Sequence, residues 1–227
     1  MSNDFKEGLE MAALSRKERD RRLRRDDILR AAEHIFAIKG YHKASMNDIA
    51  REAQYAVGTV YLYFKDKEIL YITIFEQKTQ ELFSGIKSMV ARVAGGREKI
   101  KVLIEEQLAY FEKNKDFFKI YFSERVNYRW AIKDRISQKA AEKFLHYIDY
   151  VSSLIREAQV EKVIRNDLPA KKIAFILTSM INAVIFPWLR QEAGKGTSAA
   201  RSGGNGKSLK EMSGFILDLF FNGVKAR

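Results

Sequence analysis

Residues 45–67 read SMNDIAREAQYAVGTVYLYFKDK, and the fold turns on how this stretch divides. Ser45 suits a helix N-cap, and Asp48 three residues on supplies the acidic half of a capping box, so a helix is predicted to start here. Its apolar stripe is Met46, Ile49, Ala50 and Ala53. A second helix is predicted from about Val57 to Phe64, with Val60 and Phe64 spaced four apart to face inward. Thr59, Tyr61, Leu62 and Tyr63 are then left on or near the outer side, and Gly58, lacking a side chain, allows close approach by a partner. Two short helices with a tight break between them read as a helix-turn-helix, whose second helix suits the DNA major groove.

Working outward, a preceding helix is predicted from about Arg21 to Lys39, burying Ile28, Ala31, Ala32, Ile35 and Phe36 and ending at Gly40. On the other side Asp66 caps a long helix with the stripe Ile69, Ile72, Phe75, Thr79, Leu82, Ile86, Met89 and Val93, stopped by Gly95 and Gly96. One end of that helix adjoins the recognition helix and the other lies deep in the C-terminal part, so movement at one end is expected to be felt at the other. Further helices are predicted at 97–113, 115–126 and 133–161, then from Pro169, which suits a first helical turn, to about Arg190. A Gly/Ser/Ala-rich loop, AGKGTSAARSGGNGK at 193–207, precedes a last helix near 208–222. The expected fold is all-α, with residues 1–20 as a flexible basic N-terminal arm, 21–67 as the helix-turn-helix domain and 68–227 as a larger helical domain.

Composition narrows the function. The 227 residues contain no cysteine, which excludes a disulfide framework and any thiolate metal site and fits a reducing cytoplasm. The N-terminal MSNDFKEGLEMAAL is too acidic and too weakly apolar for a secretory signal, so a cytoplasmic location is expected. Formal charge is +12, but residues 1–70 carry only +2 of it and residues 71–227 the other +10. The basic feature of the N-terminal part is local. Arg16, Lys17, Arg19, Arg21, Arg22, Arg24 and Arg25 fall within ten positions, against Glu18 and Asp20, and read equally as a solvated helix extension or as an arm on DNA.

From Ile28 to Leu70 the chain resembles the DNA-binding domain of TetR-family transcriptional regulators. The residues that carry the resemblance are Ala31, Ala32, Phe36, Gly40, Tyr41, Ser45, Asp48, Ile49, Ala50, Ala53, Gly58, Thr59, Tyr61, Tyr63, Phe64, Lys67 and Leu70. It implies a homodimer that binds a palindromic operator, with Thr59, Tyr61 and Tyr63 on bases and phosphates and Val57 on a thymine methyl. Ser45 and Lys67 are expected on phosphates, Gly58 at the closest approach, and Arg25 with the basic segment. Two departures stand out: Gln54, Tyr55 and Ala56 replace the usual Gly-Val-Ser turn, removing the N-cap of the recognition helix, and Val57 stands where many relatives are polar. Losing such a cap costs on the order of 1 kcal/mol.

The uncharged run Ile173 to Leu189, IAFILTSMINAVIFPWL, has 17 residues broken by Thr178, Ser179, Asn182 and Pro187, short of the roughly 20 that a membrane span needs. A helix apolar on every side is buried on every side, so one face is expected on the chain's own core and the other on a second copy. With the last helix, carrying Leu209, Met212, Phe215, Ile216, Leu219 and Phe220, it is expected to form a four-helix dimer interface, through helices near 169–190 and 208–222. The resemblance also implies a helical effector-binding domain. Phe111, Phe118, Phe122, Phe144, Tyr147 and Phe175 are the candidate apolar lining, with Arg125, Arg129 or Asn182 as the polar group, for a lipophilic or aromatic small molecule with an anionic head.

Nothing in the sequence points to catalysis. Gly194-Lys195-Gly196 and Gly206-Lys207-Ser208 only imitate phosphate loops and follow no strand, and His34, His42 and His146 have no metal-ligand spacing. No catalytic residue, metal or cofactor is expected. The rival is a helical small-molecule-binding or scaffold protein whose helix-turn-helix packs a protein partner. Salt dependence separates the two, since phosphate contacts weaken with salt.

Overall fold

The computed structural model describes residues 15–115, 117–118, 133–194 and 208–223. Its helices are α1 (Arg16–Lys43), α2 (Met46–Glu52), α3 (Val57–Tyr63), α4 (Lys67–Val90), α5 (Gly96–Lys113), α6 (Lys133–Val160), α7 (Ala170–Gly194) and α8 (Ser213–Asn222), the last preceded by a 3-10 turn (Leu209–Met212). No strand occurs among the described residues, so the all-α expectation holds. The chain divides into two compact units, residues 1–75 and 76–227, and α4 is the covalent connection between them.

The first unit closes around α1. Ser15 caps this helix, its Oγ accepting from the Glu18 N–H at 3.3 Å while its own N–H donates to the Glu18 carboxylate at 3.0 Å. Residues 16–20, expected as part of a flexible arm, are therefore helical, because a full capping box lets the helix begin five residues before Arg21. Gly40 breaks the helix at φ 73°, a left-handed value that favours glycine. Ile28, Ala32, Phe36, Ile49, Val60, Phe64 and Leu70 are buried together, at roughly 2 kcal/mol for each large side chain. The rings of Phe36, Tyr41 and Tyr71 meet pairwise at centroid distances of 5.2–5.7 Å. Asp66 starts α4, its Oδ1 accepting from the Ile69 N–H at 2.8 Å.

The second unit is a helical bundle in which α6 packs along α7. Ile148, Val151 and Ile155 face inward from α6, and Ala174, Leu177 and Ile181 from α7. Where α5 begins, a Cβ on Gly96 would lie 2.5 Å from the Ala158 Cα, so only glycine permits this crossing with α6. The Gly96 N–H donates to the Glu161 carboxylate at 2.6 Å, and Lys99 pairs with Glu157. The C-terminal segment docks on α5: the Ser208 hydroxyl donates to Glu112 at 2.8 Å, Leu209 is fully buried, and the Arg97 guanidinium lies 4.3 Å from the Phe221 ring centroid.

Within α7, Ala170–Gln191 is a 22-residue stretch long and apolar enough to cross a membrane, with mean hydropathy 1.6, longer than the uncharged run alone indicates. Ile173, Ala174, Leu177, Ile181, Ile185 and Leu189 nevertheless pack into the unit's own core, and the Thr178 hydroxyl donates to the Ala174 carbonyl at 2.8 Å. This is the behaviour of a core helix. Its opposite side, with Phe175, Ile176 and Phe186, is exposed in the single chain, and Phe215 of α8 is exposed as well.

Candidate nucleic-acid interface

Two local devices hold α2 and α3 in place. At the start of α2 the Ser45 Oγ accepts from the Asp48 N–H at 3.1 Å and donates to the Asp48 carboxylate at 2.8 Å. Lys39 reaches the same carboxylate from α1 at 2.7 Å. The Lys39 ammonium first, and the Ser45 hydroxyl second, hold the Asp48 carboxyl down at about 2, below its ordinary 3.8.

The second device replaces the missing cap. Ala56, at the N-cap of α3, offers no side-chain hydrogen bond, and Gln54 adopts φ 58°, a left-handed value that costs a non-glycine residue about 1–2 kcal/mol. Tyr55 offsets this by tying the turn to α1, its hydroxyl donating to Asp27 at 2.9 Å. That bond to a carboxylate, with some burial, raises the Tyr55 pKa, so the phenol stays protonated. The sequence showed Tyr55 only as a departure from pattern. Its role becomes visible when Asp27, 28 residues earlier, is brought to its hydroxyl.

With Val60 and Phe64 buried beneath it, α3 turns Val57, Gly58, Tyr61 and Leu62 outward, Tyr61 being 52% and Leu62 82% exposed. Thr59 and Tyr63 lie half-buried on one flank. A Cβ on Gly58 would meet nothing within 4 Å, so this glycine answers to no packing demand inside the chain. It leaves a gap on the outer face of a short helix, the geometry that admits a groove floor or a sugar-phosphate strand.

Three of the expected contact residues also have partners within the chain. The Lys67 ammonium donates to the backbone carbonyls of Tyr41 at 2.9 Å, His42 at 3.1 Å and Ala44 at 2.9 Å, and sits 4.7 Å from the Tyr41 ring centroid. An ammonium has three N–H donors, so these bonds form an internal clip to the end of α1. The Ser45 hydroxyl uses its only proton on Asp48, so it serves as the cap of α2. Arg25 lies with its guanidinium 5.2 Å from the Phe64 ring centroid, at the C-terminal end of α3, and pairs with no described carboxylate.

In the second unit Phe111 and Phe118 stack at 4.0 Å and are buried, with Phe117 against Phe118 at 5.2 Å. The Tyr147 hydroxyl donates to Gln107, which is only 4% exposed, and burial raises the Tyr147 pKa. Gln107 is a polar residue on the buried face of α5 that the sequence reading missed, although an uncharged amide within an apolar stripe was its signal. Phe144 and Phe175 contact each other at 6.0 Å but remain 41% and 39% exposed, so this pair lies at the surface instead of in an interior lining. Asn182 is half-buried on α7. Phe122, Arg125 and Arg129 fall outside the described residues.

Residues 28–74 match the family described as bacterial regulatory proteins, tetR family. The chain is 21% identical over 197 residues to the fatty acid metabolism regulator protein of Bacillus subtilis, covering 87% of this chain and 93% of that one. It is 27% identical over 192 residues to the HTH-type transcriptional repressor SCO4008 of Streptomyces coelicolor, covering 84% of this chain and 93% of that one. Its fold matches the crystal structure of the transcriptional regulator FadR from Bacillus subtilis in complex with stearoyl-CoA, with a TM-score of 0.71 at 22% identity, over 88% of this chain and 98% of that one. The shared fold thus extends well past the matched residues 28–74.

Proposed function

We propose that the chain is a DNA-binding transcriptional regulator of the tetR family, whose model residues 28–74 match, and that it acts as a homodimeric repressor released from a palindromic operator by a small molecule. The observation that carries this reading is the outer face of α3. Gly58, Tyr61 and Leu62 are exposed on a helix whose inner side is locked by Val60 and Phe64, with nothing among the described residues filling the space over Gly58. Val57, Thr59, Tyr61 and Tyr63 are assigned to base edges and phosphates. Two such helices related by a two-fold axis require a two-fold operator.

The dimer is assigned to the exposed side of α7 with α8, where Phe175, Ile176 and Phe215 are 39%, 59% and 57% exposed in the single chain. Apolar side chains spread over two helices in this way support a partner of the same kind. The effector is assigned to the second unit and to one class: a long acyl chain with an anionic head, as in an acyl-CoA. Two observations support it. The Tyr147–Gln107 pair is a polar group set among apolar helices, with Phe111 and Phe118 nearby in sequence and buried, and a structural neighbour holds stearoyl-CoA. Binding that favours the wrong separation of the two recognition helices lowers operator affinity by its differential energy, typically about 1–3 kcal/mol. Acting on DNA, the protein is assigned to the cytoplasm.

The test is selection from randomised duplex DNA at near-physiological salt, followed by titration of the selected duplex with stearoyl-CoA and with free CoA. Enrichment of a palindrome, and release by the acylated form alone, is the expected result. Enrichment of a palindrome with no release by either compound would overturn the effector assignment and leave the operator reading standing. Retention that resists high salt and enriches no sequence would favour a protein partner at α3 instead.

A further inference from the structure

The N-terminal end of α1 concentrates positive charge that no carboxylate among the described residues pairs with. The first buried residue of the helix is Ile28, yet the helix begins at Arg16, and residues 16–21 are all exposed. Among the described residues none of Arg16, Lys17, Arg19, Arg21, Arg22, Arg24 and Arg25 forms an ion pair with a carboxylate, and Glu18 is occupied by the Ser15 cap. Glu18 and Asp20 offset only part of the charge, and seven cations against two carboxylates leave residues 16–25 with a net charge of +5. Lys17, Arg21 and Arg25 repeat at four-residue spacing, as Arg16, Arg19, Arg22 and Arg25 do at three, and each like-charged neighbour destabilises an isolated helix. An exposed helical segment with this excess of cations suits a polyanion outside the chain.

Where the segment is rooted says which polyanion. Asp27 bonds the Tyr55 hydroxyl in the turn before α3, and Arg25 lies over the Phe64 ring at the far end of α3. The base of the extension is thus fixed at both ends of the recognition helix. From Ile28 back to Arg16 is a helical rise of about 18 Å, or about five base pairs of duplex.

We propose that Arg16–Arg25 is a rigid helical arm that binds the phosphates of duplex DNA flanking the operator half-site, adding affinity without reading sequence. The proposal rests on the reading of α3 as the recognition helix, and its test separates the two. In the full-length protein Arg16, Lys17, Arg19 and Arg21 are replaced together by Gln, which keeps helix propensity and removes four charges. Affinity is then measured against the selected operator, trimmed to its palindrome or carrying about six added base pairs on each side, over a range of salt concentrations. These side chains do not pack on the core, so thermal unfolding of the variant serves as the control for intact folding.

The wild type is expected to bind more tightly when the flanks are added, and the variant to show no such gain. The slope of log affinity against log salt is expected to fall by roughly 0.9 for each phosphate that the variant no longer neutralises, which for two or three phosphates weakens binding by about 10- to 100-fold. Flank-independent wild-type affinity, or an unchanged slope in the variant, overturns the arm while tight binding to the trimmed palindrome leaves α3 as the reader. Failure of the wild type to bind any selected duplex removes the recognition helix and the arm together.

Discussion

Replacing Lys67 by Ala distinguishes a surface phosphate contact from an internal clip. The Nζ donates to three carbonyls at the end of α1, those of Tyr41 and Ala44 in partly buried positions and that of His42 exposed. A hydrogen bond with one charged partner contributes about 1.5–3 kcal/mol when shielded, and the exposed one much less. Taking the low end for the two shielded bonds and almost nothing for the third, and allowing water to reach the freed carbonyls, gives a loss of about 2–4 kcal/mol. For a unit of this size that corresponds to a fall in melting temperature of about 10 °C or more. Lys67→Arg is expected to recover only part of the loss, because a planar guanidinium cannot point its donors at three carbonyls as an ammonium does. The assay is urea unfolding followed by circular dichroism, alongside a salt titration of operator binding at a temperature where both proteins are folded. A large drop in stability with an unchanged salt slope is the expected outcome. Wild-type stability with a salt slope lowered by about 1 would refute the clip and return Lys67 to the phosphate contacts.

Asp48 gives a pH prediction with a definite sign. Its carboxyl is held at about 2 in the folded chain against an ordinary 3.8, so its contribution is complete above about pH 4 and is lost as pH falls toward 2. Asp48→Asn is expected to flatten the acid limb of a stability–pH curve in that window, and an unaltered limb would disconnect Lys39 and Ser45 from the fold's acid sensitivity. Gly96→Ala forces a methyl to within 2.5 Å of the Ala158 Cα and is expected to destabilise the second unit by about 1–3 kcal/mol, read as a lower urea midpoint. Ile176→Asp, at a position 59% exposed in the single chain, is expected to leave the melting of a monomer unchanged but to shift sedimentation from dimer to monomer. A dimer that survives this change would move the interface off that side of α7.

Much of the first unit was legible because its signals are local. A Ser-x-x-Asp box, a glycine at a helix end and apolar residues three and four apart act between neighbours in the chain, so Ser45, Asp48, Gly40, Val60 and Phe64 took their expected places. The beginning of α1 was less legible, since a run of arginines reads equally as a coil or as a charged helix until Ser15 and Glu18 are seen to close a cap. Among the proposed effector residues, Phe111, Phe144 and Phe175 look alike in sequence. Burial separates them, because an aromatic ring packs either way on an amphipathic helix and the neighbouring helix decides.

By itself, then, the chain determined its helical class, the order of its helices, the division of α2 from α3 and which side of α3 is free, all consequences of periodicity and capping over a few residues. Tertiary structure alone decided what Lys67, Tyr55 and Gln107 do. Each acts on a partner more than 20 residues away: the Tyr41, His42 and Ala44 carbonyls, the Asp27 carboxylate and the Tyr147 hydroxyl. A polar side chain carries the same donors whether it meets solvent, a phosphate or a carbonyl of its own chain, and only the packing of distant segments fixes which of these lies within hydrogen-bonding distance.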